Sequence, residues 1–538
     1  MKRRAAWVAL LTSLLATAAS NGKAGAPVAS AAEQAYLSRF YLFVDSDDIQ
    51  SYLDSVVQRL LATRKDRIKP PTVLLYSSDA FAASSDDANN ILITTRALRE
   101  LDSEDELAAL LGHELAHLLR GHNQRKSALR AFPVGVETAG WMAAAVDRKK
   151  GAGSAGSAGT AGGSLADFGK DALVNTQAIS VLWSDILTPG WNRAQEREAD
   201  RGGYDLMVAA GYDPAAFGAL FSKLQSAQAR RSERLDVLKK VAEDHLRRSA
   251  ARKSATGSGA IAQVGNQVSA KAQEISVDAV FDQLTRFNRD YDPPEQRQKL
   301  LAEYAETKSS GHRDKTARSP RFRQWLREGR GGALLAADRS AVQLLASLNA
   351  GKPDEARRLL DAVKPAVPGA EPLSPHLNLA LGTWYNANNE PAAGEQRVQS
   401  WLRARRPPVQ AYLWRASYLW NRKEYGEVQA TLESGTKRIG SAATFLPYLV
   451  SASRAMGKTA RAEAYTVRCR DEDRKGANAV LTLITFRGGV APSGIYPECV
   501  RRLGHEPPDD SLGTKIVKAP LRAGKSLTKT VKGLFSHP

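Results

Sequence analysis

The sequence predicts an α+β fold, in which a mostly helical domain with a small sheet precedes an all-helical repeat region. Two short segments, PPTVLLYSS and NNILITT, have the length and the β-branched, aliphatic composition of strands. Most of the remaining chain has the apolar spacing of helices. Because 538 residues are too many for one hydrophobic core, several domains are expected.

The first residues have the anatomy of a secretory signal peptide, which we assign to residues 1–31. Basic residues at positions 2–4 precede an apolar run and then small residues. The mature chain is therefore expected to be exported or periplasmic and soluble. An uncleaved membrane anchor stays open as the less favoured alternative, since the apolar run is short and contains two threonines.

Helical spacing over residues 34–65 leads into the two predicted strands, which a turn-rich segment, DAFAASSDDA, separates. The next helix begins with Ser103 and Glu106, the pattern of a capping box. Beyond it, the Gly-, Ala- and Ser-rich residues 149–164 predict a flexible loop or gate. The basic stretch 226–272 is predicted to be a long exposed helix or partly disordered.

Residues 110–122, LLGHELAHLLRGH, contain three of the eight histidines of the chain. His113 and His117 stand four apart, so on a helix both imidazoles lie on one face and can bind one metal ion. Glu114 lies between them. His122 is five residues past His117 and is assigned to ordinary packing or the surface. An amphipathic helix without metal is the alternative, because its leucines form an apolar stripe in either case.

A hydrolytic zinc site needs three protein ligands, so a third is required after His117. The segment NRAQEREADRGG offers Glu196 and Asp200, four apart on a predicted helix. One carboxylate can bind the metal while the other fixes the tautomer of a ligand histidine. Zinc is favoured by the His, His and Glu ligand set, which is typical of zinc without being exclusive to it.

A repeat begins near residue 338. Small residues that would close successive helix pairs recur at intervals of 38, 34 and 34 residues, at Ala356, Gly394, Val428 and Ala462. This period resembles the tetratricopeptide repeat, a helix pair that stacks into a solenoid with a concave binding face. An irregular helical bundle is the alternative.

The net charge of +19 favours acidic partners such as anionic lipid headgroups or polysaccharide. Nucleic acid is disfavoured as a partner because the chain has an export signal and no known nucleic-acid-binding module. The tail at residues 514–538 combines basic residues with interleaved apolar ones and has two interpretations. It either contacts an anionic membrane surface peripherally or is a solvated tail. Cys469 and Cys499 have two readings as well, a disulfide or two thiols.

The motif D-A-F-A, the histidine motif and R-x-x-E-x-x-A-D together resemble zinc endopeptidases of the HtpX, BepA and CAAX-prenyl-protease type, over about residues 35–225. The repeat region makes the periplasmic, BepA-like branch the nearest. The resemblance implies one Zn²⁺ per chain held by His113, His117 and Glu196. It also implies Glu114 as the general base and Asp200 as the residue that orients a ligand histidine.

The resemblance fails at one position. The family usually has a His-Pro followed by an Arg six residues after the His, near the zinc and the substrate oxyanion. Here Arg297 fits, but the histidine is replaced by Tyr291, or by Asp292 if the proline sets the alignment. We predict Tyr291 in this position, because a hydroxyl can donate to an oxyanion and a carboxylate cannot.

The sequence thus predicts a zinc endopeptidase of the bacterial cell envelope that acts in protein quality control. Its implied substrates are misfolded or stalled envelope proteins, including outer-membrane proteins and their assembly machinery. The alternative is a chaperone or adaptor with little turnover that acts through its repeats. The predicted divisions are a leader at 1–31, a peptidase core at 32–225, a basic insertion and the end of the peptidase domain at 226–310, repeats at 338–475 and an extension at 476–538.

Overall fold

The computed structural model confirms an α+β fold, mostly helical with a three-stranded sheet. The leader, the segment 149–164, Tyr291 and the tail 514–538 lie outside the described residues. The structure describes residues 41–62, 64, 66, 68–122, 193–230, 232–233, 292–308, 319–349, 352–363, 374–388, 390–440, 444–485 and 496–505.

The chain forms two compact units. The first comprises Met1–Arg130, Leu165–Leu235 and Gln283–Ala442. The second comprises Ala131–Ser164, Asp236–Asp282 and Ala443–Pro538.

The sheet of the first unit has strand order β1-β3-β2, with β1 Thr72–Tyr76, β2 Ala83–Ser85 and β3 Asn90–Thr94. β3 pairs in parallel with β1 and antiparallel with β2. β2 lies inside the segment that the sequence predicts to be only turns. As a result, NNILITT is the central strand, paired on both sides, and cannot be the sheet edge to which an extended substrate would add.

Helices cover the sheet and carry the site. α1 Asp47–Leu61 is capped by Ser46, and the short α2 Thr95–Glu100 follows β3 directly. α3 Glu104–Leu119 contains the histidine motif. Its cap forms largely as predicted, with the Ser103 hydroxyl accepting from the Glu106 N–H at 3.1 Å. The Glu106 carboxylate accepts from the N–H of Asp102 rather than from that of Ser103.

α4 Arg193–Ala209 packs against α3 at glycines. A Cβ at Gly203 would lie 2.9 Å from the backbone nitrogen of His113 and 3.0 Å from the carbonyl carbon of Gly112. Real side chains essentially never approach that closely, so the two backbones meet here only because Gly203 has no side chain. This contact holds the two ligand-bearing helices together.

We therefore expect Gly203→Ala to destabilise the metal-free protein by about 1–3 kcal/mol, the usual result of overpacking. An alanine in an open helix position would instead gain up to about 1 kcal/mol. Gly218→Ala is the matched control, because a Cβ there would meet only the Gln298 side chain at 3.6 Å. Urea denaturation measures both. Equal effects of the two substitutions would contradict the close contact.

Residues 216–230 form helix α5, and α6 Pro294–Glu306 packs against α4. The rest of the first unit is helical. Its helices are α7 Ser319–Glu328, α8 Arg330–Asn349, α9 Pro353–Val363, α10 Pro375–Ala387, α11 Pro391–Leu402, α12 Val409–Asn421 and α13 Tyr425–Ile439.

From α8 onward, consecutive helices pack in pairs, α8 with α9, α10 with α11 and α12 with α13. Ala356 and Val428 are fully buried, and Gly394 faces the Trp414 ring, where a Cβ would come within 2.8 Å. At the turn between α12 and α13, Lys423 adopts φ 62°. Helix pairs are thus present, while membership of the tetratricopeptide class stays a prediction.

A buried carboxylate connects these helices to the sheet. Asp338 of α8 accepts hydrogen bonds from Ser77 at 2.6 Å and from Thr95 at 2.7 Å, and also from Ser374 before α10. Arg99 lies 3.4 Å and His376 3.3 Å from the same carboxylate. Burial would raise the pKa of Asp338, but the contact with His376 and the hydrogen bonds from Ser374 and Ser77 outweigh it and hold that pKa well below its usual range. The sheet and the first helices of this region therefore pack as one body.

The described helices of the second unit are α14 Leu446–Ala455, α15 Thr459–Thr485 and α16 Tyr496–Leu503. Cys469 and Cys499 form a disulfide between α15 and α16, and both cysteines are fully buried. Of the two readings open from the sequence, the disulfide is correct. No helix among the described residues is both long enough and apolar enough to cross a membrane.

The bridge closes a loop with a sequence separation of 30, for which chain entropy predicts about 3–4 kcal/mol of stabilisation. We expect a Cys469→Ser, Cys499→Ser protein to lose a comparable free energy in the unfolding of the second unit. Thermal unfolding with and without reductant measures it. A wild-type protein indifferent to reductant would contradict this expectation, provided that thiol titration shows the bond reduced.

Candidate metal centre

The metal-facing nitrogens of α3 come together as the spacing predicts. His113 and His117 lie one turn apart, with their Nε2 atoms 3.1 Å from each other. His117 is fully buried and His113 is 8% exposed. Helix α3 thus presents two imidazole nitrogens at one point in the interior.

α4 supplies the third group. The Glu196 carboxylate lies 3.5 Å from His117 Nε2 and 3.6 Å from His113 Nε2. Zinc bonds of about 2.0–2.1 Å in tetrahedral geometry place ligand atoms about 3.3 Å apart. The distance between the two Nε2 atoms, 3.1 Å, and their distances to Glu196, 3.5 Å to Oε1 and 3.6 Å to Oε2, are close to that value. Among the described residues these are the side chains grouped closely enough to hold a metal ion.

The hydrogen-bonding pattern also fits a cation. His113 Nδ1 lies 3.0 Å from the Asp200 carboxylate, which can only accept, so the proton of the neutral ring is on Nδ1 and a lone pair is on Nε2. Burial lowers the pKa of His117 to about 3, so that ring is neutral as well. Asp200 therefore occupies the predicted position beside a ligand histidine.

His122 lies outside the ligand cluster, as expected, and is buried rather than at the surface. It is 7% exposed, and its Nδ1 lies 2.9 Å from Nδ1 of the ligand His117. Its Nε2 lies 3.2 Å from Glu198 on α4. The contact with His117 does not follow from helical spacing, because α3 ends at Leu119 and Gly121 adopts a left-handed conformation with φ 66°.

Arg297 of α6 neutralises the two buried carboxylates. Its guanidinium contacts Asp200 at 2.6 and 2.9 Å and Glu196 at 2.9 Å. Burial would raise the pKa of Glu196, but Arg297 and the histidines outweigh it and lower that pKa to about 2. The pKa of Asp200 is likewise held below its usual range. Arg297 thus lies beside the candidate ligand Glu196 and binds its carboxylate together with that of Asp200.

Glu114 is buried, 5% exposed, and lies on α3 between the two ligand histidines. Asp292, the second candidate for the missing family histidine, pairs instead with Arg197 at 2.6 Å and with Arg193 at 3.8 Å. Its carboxylate fixes the start of α6 on α4. Tyr291 lies outside the described residues, so its role stays a prediction.

Comparison with known proteins agrees with this geometry. Residues 48–242 match the model of peptidase family M48. The match supports a metallopeptidase region of that family, whose members are zinc enzymes, and it contains all three candidate ligands. It ends before the helix pairs that begin at α8. No curated protein matches the chain.

The candidate site makes a pH prediction for zinc binding. Burial disfavours the His113 cation, yet the hydrogen bond and charge of Asp200 and the charge of Glu196 prevail and raise the pKa of His113 above 6.5. At pH values below the raised pKa of His113, a metal ion must displace the proton of that cation in order to bind. His117 carries no such extra proton until the pH falls to about 3. We expect the Kd for zinc to rise about tenfold per pH unit as pH falls below that pKa, as for one displaced proton. Chelator competition at several pH values measures the slope, and two displaced protons would contradict it.

Proposed function

We propose that this chain is a zinc-dependent endopeptidase of the bacterial cell envelope that hydrolyses misfolded or stalled envelope proteins. The observation that carries the proposal is the cluster of three buried candidate ligands, His113, His117 and Glu196, at separations that suit a tetrahedral metal ion, with Glu114 on the helix of the two histidines. The M48 match supports the metallopeptidase activity.

Each residue has a role in peptide hydrolysis. A bound zinc ion supplies Lewis acidity, which lowers the pKa of water and polarises a carbonyl group. Glu114 accepts the proton of the attacking water and passes it to the leaving amine. Asp200 holds His113 with its Nε2 lone pair toward the cluster, and Arg297 keeps Glu196 and Asp200 ionised.

The sheet supports an extended substrate. Among the described residues β2 pairs with β3 alone, and β2 packs against α3. Hydrogen bonds join Thr94 N–H to Ala82 O at 3.1 Å and Asp86 N–H to Asn90 O at 3.0 Å. Ala83 lies in the alternate position, so its own N–H and C=O point away from β3. A peptide pairing there would be selected by extended conformation, which favours unfolded chains.

Envelope location rests on three supports. The leader has the anatomy of an export signal, the resemblance is to periplasmic enzymes, and the Cys469–Cys499 disulfide suits an oxidising compartment. The proposed partners are protein substrates, among them outer-membrane proteins and their assembly machinery. Peripheral membrane contact through the basic tail belongs to the same proposal. Fractionation of cells that express the full chain tests the location, and a cytoplasmic, unprocessed product would contradict it.

The substrate class is tested with one protein in two states. Reduced, carboxymethylated α-lactalbumin and native α-lactalbumin are incubated with the zinc-loaded chain, and the products are identified by mass spectrometry. We expect internal cleavage of the unfolded form and an intact native form, both blocked by chelator. Release of terminal residues alone would contradict an endopeptidase, and equal cleavage of both forms would contradict selection of unfolded chains.

A further inference from the structure

The third histidine of the motif connects a metal ligand to the protein surface. His117, fully buried, contacts His122, and His122 contacts Glu198, which is half exposed. Arg120 lies 3.8 Å from the same Glu198 oxygen at the rim. These residues come from α3, the turn after it, and α4.

The direction of these hydrogen bonds follows from the chemistry of the groups. The Glu198 carboxylate can only accept, so His122 donates from Nε2, and its neutral ring then has a lone pair on Nδ1. His117 must therefore donate from Nδ1 at the 2.9 Å contact. That tautomer leaves the His117 Nε2 lone pair facing His113 Nε2 and Glu196.

We propose that His122, itself oriented by Glu198, is a positioning residue that fixes His117 in its metal-binding tautomer. It is the counterpart of Asp200, which does the same for His113 through a carboxylate. The two ligand histidines therefore donate to different partners, one to a carboxylate and one to a neutral ring. The inference rests on the metal centre of the proposed function and requires no peptidase activity.

The backbone shows why His122 can reach this position. The Gly121 N–H bonds to the Leu118 carbonyl at 3.1 Å, and Gly121 has φ 66°, a left-handed conformation that glycine adopts at low cost. This turn places His122 beside His117 instead of on the next helical turn. The turn brings a polar side chain into the interior directly behind a ligand.

The test compares zinc affinity of the full chain and its variants by chelator competition. In His122→Phe the ring remains but the acceptor is lost, and we expect zinc to bind about 10–100-fold more weakly. In His122→Asn the amide oxygen can accept from His117 Nδ1 in place of the imidazole nitrogen, so affinity should return to within a few-fold of wild type. His376→Phe is the control, since His376 is also buried but contacts Asp338 outside the cluster.

The outcomes separate the inference from the metal centre itself. If wild type binds no zinc, the metal centre fails. If wild type binds one zinc and His122→Phe binds it equally well, the positioning role fails alone. If His122→Phe does not fold, His122→Asn decides, because a large loss of affinity in that folded variant would overturn the inference. A loss of the same size in His376→Phe would also overturn it.

Discussion

Glu114→Gln is expected to lower kcat for peptide hydrolysis by about 10²–10⁴-fold, the usual contribution of a general base. Glutamine has nearly the same shape as glutamate but cannot accept the proton of the attacking water. Because Glu114 is absent from the ligand cluster, zinc content should stay at the wild-type level. Steady-state kinetics on a quenched fluorescent peptide, with zinc measured in the same samples, checks both values.

Glu106→Gln is the matched control for that substitution. Glu106 is buried to the same extent on the same helix, but it contacts Lys223 and the Asp102 backbone. We expect its kcat to stay within a few-fold of wild type. If Glu114→Gln and wild type had equal kcat, the general-base role would be wrong, and an adaptor with little turnover would become the better description.

Arg297→Met is expected to destabilise the metal-free protein by about 3–5 kcal/mol, the usual result of removing one partner from a buried ionic group. Glu196 and Asp200 would then be two buried carboxylates without their shared guanidinium. Zinc supplies positive charge at Glu196, so the loss should be smaller in the zinc-loaded protein. Urea denaturation with and without zinc measures the difference.

The pH dependence of this effect has a defined sign. The depressed pKa of Glu196 stabilises the folded state above its ordinary value of 4.5, and that stabilisation disappears as pH falls toward about 2. The difference between wild type and Arg297→Met should therefore shrink over the same range. Arg64→Met is the control, because the Arg64–Asp66 pair is largely exposed and is expected to contribute little to stability at any pH. A pH-independent difference would contradict the electrostatic origin.

The ligand set was predictable because both helices keep their period. Residues four apart face one way on a helix, and this places His113 with His117 and Glu196 with Asp200 without knowledge of the fold. The chemical requirement of zinc for a third ligand then links the two helices. Local regularity and known chemistry are enough to place these four side chains at one site, while the resemblance alone assigns Glu196 rather than Asp200 as the ligand.

Other features depend on tertiary contacts that no local pattern encodes. β2 consists of small residues with turn preferences, and pairing with β3 makes it a strand. His122 escapes helical periodicity because α3 ends before it. By helix propensity alone Gly203 is unfavourable within a helix, and only the packing of α3 against it explains why a glycine is needed there. The resemblance predicts Arg297 near the metal. Its carboxylate partners, Glu196 and Asp200, follow only from the packing of α6 against α4.

Zinc titration of the metal-free chain, followed by the rate of peptide hydrolysis, tests the metal centre most directly. The geometry of His113, His117 and Glu196 predicts a rate that is near zero without zinc, rises linearly and levels off at one zinc per chain. A rate independent of zinc, or a break at two zinc ions per chain, would contradict a single catalytic zinc at this site. One zinc bound without hydrolysis of any unfolded substrate would contradict the peptidase.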